Sequence, residues 1–230
     1  MKRNVPNMIT YLNLISGCVA CVMALDNNYL WAFIFIIIAS IFDFCDGLVA
    51  RLLKAYSKLG KELDSLADVV SFGVAPGMII FVFLRNIIID YNTISSLTYM
   101  AYIAFLMPAF SALRLAKFNI DDRQTSSFIG LPTPANALFW GALIYQLSLW
   151  NIAPLYLITG IIVGVLLFSY LMISEMPMFS LKFKNHGWKG NEAKYILLLV
   201  AILSLVFLGI SGISATIVIY ILMSLFIRGK

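Results

Sequence analysis

Asp43-Phe44-Cys45-Asp46-Gly47-Leu48-Val49-Ala50-Arg51, followed after eight residues by Gly60-Lys61-Glu62-Leu63-Asp64-Ser65-Leu66-Ala67-Asp68, is the stretch that decides how this chain is read. The two halves sit at or near the ends of strongly apolar segments. Asp43 and Asp46 are spaced i,i+3, and Asp64 and Asp68 i,i+4. On helices, each pair shares one face. Gly47 and Gly60 leave room for close approach, and Arg51 places a fixed positive charge beside the acids. A carboxylate inside a membrane helix costs about 2.5–3.5 kcal/mol on insertion scales. Four converging carboxylates also repel one another, so they need either protonation or bound cations. Hard divalent ions accept carboxylate oxygens together with substrate phosphate oxygens. The spacing therefore points to a metal site, with two ions expected. Structural Asp–Arg contacts between two helices are the rival reading. Four acids in register with two glycines and an arginine weigh against it.

Working outward, the 230 residues are 62% hydrophobic and only 12% charged, with a mean hydropathy of +0.95. A soluble domain carries about 25% charged residues. The composition predicts an all-α, polytopic transmembrane helical bundle forming one integral membrane domain over 1–230. Abundant aromatic residues suit interfacial belts. A net charge of +5 would also suit nucleic acid. In a membrane chain it is better assigned to basic cytoplasmic loops facing anionic lipid, so no nucleic-acid partner is expected. Cys18 and Cys21 form a lone C-x2-C in an apolar run, read as small apolar filler rather than a redox or zinc pair.

Eight spans are expected. The first runs from Met8 to about Leu25. It follows a basic start that mimics a signal peptide, but Asn7, Thr10 and Asn13 give it a polar face that a cleaved leader would not need. Asp26-Asn27-Asn28 is a turn. The others are Tyr29–Leu53, about Asp64–Leu84, about Ile94–Phe118, Gly130 to near Trp150, Ile152–Ile173, about Tyr195–Ile210 and Ile213–Ile227. Residues 1–174 make a six-helix core, and 175–230 add a basic loop and two more spans. Of the sixteen Lys and Arg, only Arg85 falls on the side opposite the acids. The positive-inside rule then puts both termini and the acid cluster at the cytoplasmic face of the cell membrane.

The full pattern is D-x2-D-G-x2-A-R-x8-G-x3-D-x3-D, with Asp43, Asp46, Gly47, Ala50, Arg51, Gly60, Asp64 and Asp68 filling every fixed position. It resembles the signature of the CDP-alcohol phosphotransferases. The resemblance implies a membrane enzyme that moves a phosphoalcohol group from a CDP-lipid donor to an acceptor hydroxyl. It also implies divalent metal ions, Mg²⁺ or Mn²⁺ with Ca²⁺ as a further occupant, held by Asp43, Asp46, Asp64 and Asp68. By the same resemblance Asp68 is the base, and members commonly pair as homodimers.

The opening P-N-x2-T-x2-N resembles that of the serine-using branch of the family, which implies that Asn7, Thr10 and Asn13 lie near the nucleotide. With Ser71-Phe72-Gly73, Gly130-Leu131-Pro132-Thr133-Pro134 and the 172–182 stretch, it resembles the serine-using branch. L-serine is then the expected acceptor. Arg114, Lys117, Asn119, Thr133 and Asn136 are its candidate ligands, with Ser174 and Lys182 nearby. A different acceptor, glycerol 3-phosphate or an inositol phosphate, is the alternative within the family. An ether-lipid donor is a further variant. A cation transporter is the alternative outside it, though transporter sites lie near the bilayer midplane and these acids lie towards span ends.

Overall fold

In the computed structural model, residues 4–90, 95–121, 128–179, 187–188 and 190–226 are described. Lys182, His186 and part of the expected basic loop lie outside them. Helices α1 (Asn4–Leu25) and α2 (Tyr29–Leu52) form a hairpin. Asn27 turns the chain with φ +59°, a conformation asparagine tolerates better than most residues. The Asn28 side chain then caps α2 at the Trp31 amide. Ala20, Ala24, Ala32 and Ala39 are all fully buried. Small side chains let membrane helices approach closely, which is how α1 and α2 pack.

Ser57 caps α3 (Lys58–Asp68), its Oγ accepting from the Gly60 amide at 2.9 Å. Helix α3 runs through a π-helical turn at Val69–Val74 into α4 (Ala75–Asp90), so Lys58–Asp90 is one continuous 33-residue rod. The expected third span, beginning near Asp64, thus starts two turns earlier. Gly73 and Gly77, in and just after the π turn, receive Pro108 of α5 (Leu106–Ile120). A Cβ on either glycine would stand 3.1 Å from Pro108 atoms. The Ser71–Pro76 stretch therefore provides both a π turn and a tight helix crossing. Residues Ser95–Phe105 form a 3₁₀ helix leading into α5.

Helices α6 (Thr133–Ser148) and α7 (Pro154–Ile173) complete the central bundle, with Phe139, Trp140 and Phe168 packed ring on ring. A two-residue antiparallel ribbon joins β1 (Phe128–Ile129) to β2 (Pro177–Met178), pairing Phe128 with Met178 and Ile129 with Pro177. That ribbon is a small departure from the all-α expectation. Helices α8 (Glu192–Leu208) and α9 (Ser211–Phe226) close the described chain.

Among the described residues, five helical segments are long and apolar enough to cross a bilayer: Asn4–Leu25, Tyr29–Leu52, Lys58–Asp90, Tyr99–Ile120 and Pro154–Ile173. The remaining three expected spans appear as α6, α8 and α9, of 16, 17 and 16 residues. At 1.5 Å per residue, 16 residues rise about 24 Å, short of the roughly 30 Å hydrocarbon core unless flanking residues contribute. Helix α8 turns Leu198, Leu199, Ile202, Val206 and Phe207 outward. Such an apolar exterior suits lipid.

Candidate active site

The i,i+3 and i,i+4 spacings do what helical geometry requires. Asp43 on α2 and Asp64 and Asp68 on α3 bring carboxylate oxygens within 4.8 Å of one another. Asp46, one turn on from Asp43, is buried and takes a different partner. Its Oδ2 accepts from Thr10 Oγ1 at 2.6 Å. Three of the four acids thus share one point, and Asp46 stands beside them in the wall of the adjoining cavity.

That cavity holds about 570 Å³ and lies between the start of α1, the end of α2 and the start of α3. Asp46 and Asp64 are in its wall, as are Gly47, Ala50, Gly60, Asn7 and Thr10. A Cβ on Gly60 would lie 2.9 Å from Ser57 Oγ and 3.1 Å from Asn7 Oδ1, so a larger residue would displace the Ser57 cap and the Asn7 side chain at the cavity wall. At Gly47 a Cβ would meet nothing nearer than the Arg51 guanidinium, at 3.7 Å. The bareness of Gly47 serves the cavity and not helix packing. Arg51 is exposed, and its Nε donates to the Gly47 carbonyl at 3.0 Å. It is tied to its own helix and not turned onto the acids as the sequence suggested.

The polar face of α1 is used against the acids. Fully buried Asn13 donates from Nδ2 to Asp68 Oδ1 at 3.1 Å. Its backbone carbonyl accepts from Ser71 Oγ at 2.9 Å. Because the π turn directly follows Asp68, Ser71 clamps the same stretch of α1 that holds Asp68. Gly17 makes this possible, and sequence reasoning missed it. A Cβ there would overlap Ser71 Oγ and lie 2.7 Å from Ser71 Cα. Gly17→Ala should therefore push α1 off the π turn. The expected cost is about 1–3 kcal/mol, as for overpacking in general. It should be seen as a lower thermal midpoint in detergent, and an unchanged midpoint would contradict the close approach.

The residues expected at the acceptor divide into two groups. Arg114 is 7% exposed, its Nη1 reaches Thr133 Oγ1 at 3.5 Å, and its guanidinium lies 5.3 Å from the Phe118 ring centre. Asn136 donates to Met107 Sδ at 3.4 Å. Arg114 Nε and Asn136 Oδ1 are buried without hydrogen-bond partners among the described residues. Buried polar atoms are ordinarily satisfied, so these two have hydrogen-bonding capacity left to use. Lys117, by contrast, is exposed. Asn119 is spent on a latch: its Nδ2 donates to Ser65 Oγ at 2.8 Å and its carbonyl accepts from Lys61 Nζ at 3.0 Å. The latch joins α5 to α3, and no local pattern in the sequence announces a contact across more than fifty residues. Ser174 bonds within its own turn, to the Leu171 carbonyl at 2.9 Å.

A metal fits the acidic point. Asp64 Oδ1 is buried without a hydrogen-bond partner among the described residues. An orphaned carboxylate oxygen beside two further carboxylates is the donor set a hard divalent cation takes.

The apolar helical bundle fits a membrane protein, and residues 3–166 match the family model described as CDP-alcohol phosphatidyltransferase. The chain belongs to that family. It is 35% identical over 189 residues to a Bacillus subtilis (strain 168) protein named CDP-diacylglycerol–serine O-phosphatidyltransferase, covering 82% of this chain and 96% of that one. Proteins of the same name from Helicobacter pylori, 32% identical (88% of this chain, 81% of that one), and Methanocaldococcus jannaschii, 35% identical (75% of each), are also similar.

Proposed function

We propose that this protein transfers the phosphatidyl group of CDP-diacylglycerol to the hydroxyl of L-serine and releases CMP. One observation carries the reading: Asp43, Asp64 and Asp68 meet within 4.8 Å, and Asp64 also lines the adjoining cavity, in a chain of this family. Asp43, Asp46, Asp64 and Asp68 are the metal ligands in this reading. Bound divalent ions, two Mg²⁺ or Mn²⁺, with Ca²⁺ as a further occupant, would supply charge neutralisation at the donor's diphosphate.

The cavity takes the cytidine diphosphate. Gly47, Ala50 and Gly60 admit it with little side chain in the way, Asn7 and Thr10 border it from α1, and Asn13 acts on the nucleotide end only through its bond to Asp68. Arg51, held on the Gly47 carbonyl one turn back, would answer a phosphate oxygen with its remaining forked donors in this reading. Serine Oγ forms a bond to the lipid-side phosphorus while the bond from that phosphorus to the CMP oxygen breaks. CMP leaves with the electron pair, and the serine proton passes to Asp68. Asn13 donates to Asp68 Oδ1 and holds the carboxylate in place while acceptor capacity remains for the proton. Such transfers need mainly positioning, charge neutralisation and a base.

For the acceptor, Arg114 answers the serine carboxylate. Asn136 Oδ1 and Thr133 answer the ammonium, and Lys117 and Asn119 lie at the rim. The diacyl tails lie between helices in lipid, and an ether-linked donor would fit the same headgroup chemistry. Eight crossings, with both termini and the acids on the cytoplasmic side, agree with fifteen of sixteen basic residues lying at the acid-bearing ends. The working unit in this reading is a homodimer.

Purified protein with CDP-diacylglycerol, Mn²⁺ and labelled serine should release CMP in step with labelled lipid. Chelation with EDTA should bring release to background, and added Mn²⁺ or Mg²⁺ should restore it. CMP release independent of serine would sink the reading. Release driven by glycerol 3-phosphate or an inositol phosphate would reassign the acceptor. Metal flux into vesicles without nucleotide would move the protein out of transferase chemistry.

A further inference from the structure

We propose that Tyr220, on the last helix, is a positioning residue for the acceptor pocket: it pins the short ribbon that sets Thr133 against Arg114. The proposal rests on the serine-acceptor reading above. It concerns a part of the chain beyond the matched residues 3–166.

The connection runs through hydrogen bonds and short stretches of chain from end to end. Tyr220, only 7% exposed, donates from Oη to the Phe179 carbonyl at 3.0 Å, and its ring meets the Phe179 ring edge-on at 5.0 Å. Phe179 directly follows β2, which pairs with β1. Just past β1, the Gly130 amide donates to the Met176 carbonyl at 2.9 Å, and the Leu131 amide to the Leu171 carbonyl at 3.0 Å. Gly130 has φ +73°, and a Cβ on it would run into the Met172 carbonyl oxygen, so the turn is tight against the end of α7. Two residues later Thr133 begins α6, fully buried, with Arg114 on its hydroxyl.

Nothing between Gly130 and Thr133 has much freedom. Leu131 is fully buried, Pro132 has a fixed φ, and Pro134 occupies the first turn of α6. A shift of the ribbon must therefore shift Thr133. Helix α9 is itself anchored, because Ser214 Oγ donates to the Phe139 carbonyl of α6 at 2.9 Å. The last helix thus acts on α6 at two levels: directly at Phe139, one turn past Asn136, and through the ribbon, where the Tyr220 bond leads to Thr133 at the helix start.

Tyr220→Phe keeps the ring and removes the hydroxyl. Ser214→Ala removes a comparable buried hydrogen bond from the same helix without touching the ribbon. In steady-state assays on the full chain, Tyr220→Phe should raise the serine KM about three- to tenfold, the scale of one neutral hydrogen bond. The CDP-diacylglycerol KM should stay within about twofold, and Ser214→Ala should leave both KM values in place while lowering the thermal midpoint. An unchanged serine KM in Tyr220→Phe overturns the proposal. So does an equal rise in both KM values, or an equal effect of Ser214→Ala, since each marks α9 as mere packing. If Arg114→Ala raises the serine KM and Tyr220→Phe does not, this proposal alone fails. If the wild-type protein uses no serine, the acceptor reading fails first and takes this one with it.

Discussion

Asp68→Asn is expected to lower CMP release by about 10²–10⁴-fold, the usual contribution of a positioned general base. The amide matches the carboxylate in shape, so the Asn13 bond and the packing of α3 should persist. What goes is the proton acceptor and one of the anionic oxygens at the acidic point. Donor binding draws on the whole cavity wall and should survive in part, so an equilibrium titration with CDP-diacylglycerol should still saturate. Turnover within tenfold of wild type would remove Asp68 from the role of base.

Arg114→Ala should raise the serine KM by roughly 30-fold or more, because truncating one member of a buried charged pair costs about 2–5 kcal/mol. The donor KM should move far less. Arg114 is nearly buried, with Nε unpartnered among the described residues, so the arginine is already desolvated before any acceptor arrives. Arg114→Lys should fall between, since an ammonium keeps the charge and loses the flat fork that grips a carboxylate. Equal increases in both KM values would take Arg114 out of the acceptor site.

Much of the acidic site was legible because it rests on local periodicity. A three- or four-residue spacing puts side chains on one helix face wherever the helix ends up. Asp43 with Asp46, and Asp64 with Asp68, were thus paired before any packing was known. The polar face of α1 was legible for the same reason, with Asn7, Thr10 and Asn13 on one stripe. Arg114 was less so, since an arginine at a helix end in a membrane protein is ordinarily an interfacial anchor. Its burial distinguishes it from Lys117, three residues on and exposed, and burial is a property of neighbours. The Lys61–Asn119–Ser65 latch and the fit of Gly17 against Ser71 join distant stretches and leave no periodic trace.

By itself, the amino-acid sequence determined that the chain is a bundle of apolar helices carrying four acids towards helix ends, because composition and helical phase are local quantities. Tertiary structure alone decided that three acids meet while Asp46 turns to Thr10, and that Arg51 stays on its own helix. It also decided that a π turn after Asp68 locks α1 in place. The physical reason is that these outcomes depend on the distance and rotation between helices. Those are settled by where glycines, alanines and Pro108 allow backbones to touch, not by any one helix's own pattern.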